Sequence, residues 1–99
     1  MTFCVGQATL LSLTMQKSDL EYKILSISNK RQIIAYQTAA LAGSDTDSPE
    51  MAQLQAIDQV YELEQTSLET QEKMVSAEFD GVQKMVENNI KKDCKLNLS

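Results

Sequence analysis

The chain has a single proline, Pro49, closing the stretch Gly43-Ser44-Asp45-Thr46-Asp47-Ser48-Pro49. Proline inside a helix removes a backbone hydrogen bond and clashes with the preceding turn, so a chain with one proline is free to run helical on both sides of it. The two flanking arms are rich in Leu, Gln, Glu, Ala, Lys and Met, which are good helix formers, and the whole chain has only 3 glycines. The stretch therefore predicts the tight connection of an all-α, coiled-coil-like antiparallel two-helix hairpin. Its helices should run from about 7 to 42 and from about 49 to 92, with the turn at 43–48, in one domain covering 1–99. Gly43 would end the first helix in the left-handed conformation that glycine adopts without steric cost. Ser48 would cap the second, with Pro49 in its first helical position and Glu50 at its positive end.

The first arm carries a heptad seam. With Leu10 as position a, position d holds Leu13, Leu20, Ile27, Ile34 and Leu41, all apolar. Position a holds Leu10, Lys17, Ile24, Arg31 and Thr38, so two basic residues interrupt it. A sustained a/d repeat of this kind is a coiled-coil signal. In the second arm, taking Leu54 as a gives Leu54, Tyr61, Leu68, Val75 and Val82 at a, and Ile57, Glu64, Gln71, Glu78 and Met85 at d. Val60, Met74, Phe79 and Val86 should flank and widen that seam. Gln55, Gln59, Glu62, Thr66, Glu69, Lys73, Ser76, Asp80, Gln83 and Glu87 should form a wet back.

Pairing Leu41 with Leu54 across the turn fixes every other layer by counting outward. Thr38 meets Ile57, Ile34 meets Tyr61, Ile27 meets Leu68, and so on to Leu10 with Met85. The two basic interruptions then fall opposite acids, Arg31 against Glu64 and Lys17 against Glu78. Polar pairs inside a seam fix alignment at some expense of stability. The same counting brings Cys4 near Cys94 at the open end. A bridge there would close nearly the whole chain and contribute roughly 4 kcal/mol in the chain-entropy model. The alternative is two thiols kept reduced.

The first arm has a second apolar side. Leu11, Met15, Tyr22, Leu25, Ile33 and Tyr36 fall at its b, c and f positions, which an isolated hairpin leaves in solvent. A helix apolar on several sides is buried on several sides. The expected partner of this face is a second copy of the chain, giving a homo-oligomer, or another helical protein.

Charge narrows the partners further. The net charge is −5 and the pI about 4.6, which disfavours nucleic acid and anionic membrane surfaces. No apolar run is long enough to span a bilayer, and the first fifteen residues lack the basic start and cleavage site of a secretory signal. The expected location is the cytoplasm, or an extracellular assembly reached by a leaderless route.

Catalytic chemistry has little to build on. The chain has no His, no Gly-rich phosphate loop, and no Ser or Cys with a base at a useful spacing. Glu62, Glu69 and Asp80 read as solubilising charge. Asp45 and Asp47 have the alternate spacing of a calcium loop but lack its later glycine and closing glutamate; helix capping accounts for them. No catalytic residue, metal or cofactor is expected, and the chain reads as a structural protein.

The segment from Ser48-Pro49 through the polar helix to Phe79-Asp80-Gly81-Val82 and Met85-Val86-Glu87-Asn88-Asn89-Ile90 resembles the needle-type subunits of type III secretion systems. Those are short, leaderless helical hairpins with a proline in the turn, and they polymerise into a hollow filament. The resemblance covers about half the chain. It implies assembly into a filament or tube and carries no individual residue role. Three departures stand beside it: one turn proline where that family often has two, a longer chain, and a first arm more apolar than the second, whereas the needle-type polymerising surface lies strongly in the C-terminal helix. A dimeric four-helix adaptor or secretion chaperone, holding a partner helix, is the alternative architecture for the same hairpin.

Overall fold

The computed structural model describes the backbone of residues 3–43 and 48–98, and side chains at 4–43 and 48–90. It contains two α-helices, α1 (Phe3–Ala42) and α2 (Pro49–Leu98), and no strand among the described residues. The fold is an all-α helical hairpin. Both helices extend further at the open end than the sequence suggests. Gly6 lies inside α1 and is buried, so packing offsets the cost of about 1 kcal/mol that glycine imposes on a helix.

At the turn, α2 begins as expected. The Met51 backbone N–H donates to Ser48 Oγ at 3.1 Å, and Ala52 N–H donates to the Ser48 carbonyl at 3.3 Å, the first regular helical bond. Ser48 is therefore the N-cap and Pro49 occupies the one early position where a missing N–H is harmless. Ser48→Ala should cost about 1 kcal/mol in a urea titration followed by circular dichroism. The end of α1 differs from expectation. No glycine among the described residues has a positive φ, so Gly43 does not terminate α1 in the left-handed conformation. A β-carbon there would meet only the Ala40 carbonyl oxygen, at an ordinary 3.8 Å. Asp45 and Asp47, and the calcium-loop reading attached to them, lie outside the described residues.

The chain divides into two compact units, Glu21–Thr70 and Met1–Leu20 with Gln71–Ser99. In the first, Ile27 and Ile34 of α1 and Met51 of α2 are buried, and Ile24, Arg31, Thr38, Leu41, Leu54, Asp58, Tyr61, Gln65 and Leu68 are half-buried. In the second, Leu13, Leu20 and Val86 are buried, while Leu10, Lys17, Glu72, Val75, Phe79 and Val82 are half-buried. The α1 column is the a/d seam read from its sequence.

The α2 column is not. Its first half, Leu54, Tyr61, Leu68, Val75 and Val82, is as expected. The second half is Met51, Asp58, Gln65, Glu72, Phe79 and Val86, four residues beyond the first column instead of three. Ile57, Glu64, Gln71, Glu78 and Met85 are exposed. Both phases are compatible with a 3.6-residue period. The one adopted turns the large apolar Phe79, Val86 and Met51 inward, where the other would have offered Ile57 and Met85. It also leaves Val60 and Met74 well outside the seam.

Gly81 lies on the exposed side of α2, and no atom comes within 4 Å of the position a β-carbon would take. Gly81→Ala should therefore add about 1 kcal/mol of stability, the difference in helix propensity with no steric penalty. A rise in the urea midpoint at unchanged slope would register it.

Candidate interaction surface

The shifted phase of α2 gives Arg31 a different acidic partner. Arg31 Nε donates to Asp58 Oδ1 at 3.0 Å, and one terminal nitrogen, Nη2, reaches Asp58 Oδ2 at 3.3 Å. The other, Nη1, donates to Gln65 Oε1 at 2.9 Å. Gln65 Nε2 in turn donates to Glu69 Oε1 at 3.3 Å. Arg31 thus sits between Asp58 and Gln65, one turn either side of Tyr61, and its expected pairing with Glu64 does not form. A guanidinium fork matches both oxygens of one carboxylate, and Asp58 in the seam presents both, whereas Glu64 points outward. Glu78 is likewise exposed, and no ion pair joins it to Lys17 among the described residues. Lys17 is half-buried at its seam position, as a long aliphatic stem allows for a charged residue.

The Arg31 hydrogen bond holds the Asp58 carboxyl below its usual range, against the opposing effect of burial; the Arg31 charge adds to the lowering. The same hydrogen bond raises the Arg31 guanidinium, which stays charged. Because the folded-state pKa of Asp58 is depressed, the pair stabilises the hairpin above the ordinary carboxylate range, and that contribution is lost as pH falls through it. About a third of each side chain is exposed (32% for Arg31 and 35% for Asp58), so solvent and salt screen the interaction. Arg31→Glu should lower the melting temperature, and Asp58→Arg should restore part of the loss while Glu64→Arg restores none. Asp58→Asn should also flatten the fall in melting temperature between neutral and acid pH.

Facing away from the seam, α1 carries a second stripe. Leu11, Met15, Tyr22, Leu25, Ile33 and Tyr36 are all more than half exposed, Tyr22 the most at 72%. They fall on an outer heptad row running Ala8, Leu11, Met15, Ser18, Tyr22, Leu25, Asn29, Gln32, Tyr36 and Ala39, with Ile33 at its border. Every member is exposed. Gln32 Nε2 donates to the Tyr36 hydroxyl at 3.3 Å within the row.

A second outer row lies on α2, beside the wet back read from its sequence, whose residues are exposed apart from the half-buried Ser76. Ala56, Val60, Leu63, Ser67, Thr70, Met74 and Ala77 recur at alternating intervals of four and three, and all are exposed. Leu63 is 73% exposed, the highest value among the large apolar side chains of the described residues. The signal for this row was its spacing. Small and hydroxyl residues diluted it, and the heptad phase chosen for α2 assigned Val60 and Met74 to the seam edge.

Cys4 is an exposed free thiol. The side chain of Cys94, and with it the expected bridge to Cys4, lies outside the described residues. Among the described residues no three His, Cys, Asp or Glu side chains gather as metal ligands would, and no helix is long and apolar enough to cross a membrane. No family model, curated protein or solved structure matches the chain.

Proposed function

We propose that the protein is a non-enzymatic structural subunit, a helical hairpin that self-assembles into a filament, tube or other homo-oligomer. The observation that carries this reading is the outer face of α1. Its inner face is already spent on the hairpin seam, yet six large apolar side chains on the outside remain more than half exposed. Scattered exposed apolar residues are ordinary on a protein surface, but large apolar side chains that recur along one helix face, here broken only by Ser18 and by Asn29 with Gln32, point to an interaction site. The thinness of the core points the same way. Six hydrophobic side chains are buried among the described residues, and none is below 2% exposure. The pattern-level resemblance to needle-type secretion subunits supports a filament over a closed ring of copies. A secreted assembly of that kind would be its setting.

Sizing by light scattering across a concentration series, with negative-stain imaging of the same samples, tests the reading. The expected result is mass that grows with concentration. A discrete dimer at every concentration would instead favour a four-helix adaptor, and a monomer throughout would overturn self-assembly.

A further inference from the structure

The outer rows of α1 and α2 have the same pattern of polarity, and they lie on sides of their helices turned away from the hairpin seam. Along α1 an apolar pair, Tyr22 and Leu25, is followed by a polar pair, Asn29 and Gln32, and then by Tyr36 with Ala39. Along α2 Val60 and Leu63 are followed by Ser67 and Thr70, and then by Met74 with Ala77. The intervals are the same throughout. We propose that the occupant of the α1 outer row is the α2 outer row of a second copy. Subunits then stack front to back through a heterologous contact. This inference rests on the self-assembly reading and specifies its contact.

Three features carry it. Over Tyr22–Ala39 and Val60–Ala77 the matching blocks let apolar layers cover apolar layers while Asn29 and Gln32 meet hydroxyl side chains. The bulky row faces a slimmer one: two tyrosines on α1 oppose a row containing alanine, valine, serine and threonine, which allows close approach of the helices. Charge also favours this pairing over α2 on α2. The α1 sequence has four basic and two acidic side chains, and the α2 sequence has five basic and ten acidic. Two of the four α1 cations, Lys17 and Arg31, lie in the seam, which leaves Lys23 and Lys30 balanced by Asp19 and Glu21 on the exposed side. Placing α1 against a neighbouring α2 therefore avoids the like-charge contact that α2 on α2 would make. Because the two rows point away from each other, satisfying one leaves the other free on each copy. A heterologous contact of this geometry does not close after two subunits and propagates.

Two variants separate front-to-back stacking from a symmetric contact. Tyr22→Asp with Leu25→Asp disables the α1 row and leaves the α2 row intact. Val60→Lys with Leu63→Lys does the reverse. All four positions are more than half exposed, and circular dichroism would confirm that each variant remains helical. Each alone should be monomeric by light scattering at concentrations where the unaltered protein grows. Mixed in equal amounts, they should form a one-to-one heterodimer that grows no further, since each supplies the row the other lacks. If the α2 variant still dimerises by itself, the contact is α1 on α1 and the inference is overturned while self-assembly stands. Failure of the mixture to associate, with growth of the unaltered protein intact, has the same consequence. An unaltered protein that stays monomeric at every concentration overturns both.

Discussion

Tyr22→Asp combined with Leu25→Asp should abolish assembly and leave a monomer nearly as helical as the parent. The two side chains lie one turn apart on α1, 72% and 60% exposed, and neither belongs to the seam. Aspartate in a helix interior is less favourable than leucine or tyrosine by at most several tenths of a kcal/mol each, a loss the monomer tolerates. In an assembled contact the same change buries two carboxylates against apolar side chains. Removing an unpaired charge from water costs far more than a lost methylene contact, so association should weaken by several orders of magnitude. The measurement is a sedimentation or light-scattering series beside a thermal melt. Retained assembly would show that this face is not the contact, and a lost helical signal would show that it supports the monomer instead.

The opposite signature is expected inside the seam. Ile27 is buried in the Glu21–Thr70 unit, and Ile27→Ala should destabilise the hairpin by about 3 kcal/mol, within the range for truncating a buried aliphatic residue. A small domain holds only about 5–15 kcal/mol in total, and few buried residues share the load here. The variant should therefore approach its unfolding midpoint near physiological temperature. Ile33→Ala provides the contrast. Ile33 is 55% exposed, so its truncation should leave the urea midpoint of dilute protein within about 0.5 kcal/mol of the parent, yet weaken assembly. Comparable losses of stability in the two variants would erase the distinction between seam and outer face.

The hairpin was legible because its punctuation and one of its helices are unambiguous. Ser48-Pro49-Glu50 is a cap that few other structures would use, and α1 has leucine or isoleucine at every d position from Leu13 to Leu41. Its buried column follows from that alone. In α2 the partner column of Leu54, Tyr61 and Leu68 mixes acids and amides with apolar residues in either phase. Hydrophobicity therefore discriminates weakly, and an apparent match of Arg31 to Glu64 was available one residue short of the right column. The decision falls to packing of Phe79 and Val86 and to the fork geometry at Asp58, which periodicity does not express. The outer face of α1 could be read from Tyr22, Leu25 and Tyr36, which have no place in a two-helix seam. Its counterpart on α2 was hidden by the same choice of phase. Once Val60 and Met74 are assigned to the edge of a core, the row they form with Leu63 disappears.

The driest apolar position among the described residues, Val86, still keeps 3% of its surface open to water. A seam with no sealed interior offers little to slow the exchange of amide hydrogens beyond what the helical bonds themselves provide. Protection in the dilute hairpin should therefore be shallow along both helices. If neighbouring copies cover the outer rows, the slowest-exchanging amides would gather around Tyr22 to Tyr36 and Val60 to Met74. Deuterium uptake would then map the growth of the assembly along segments whose backbone conformation has not changed.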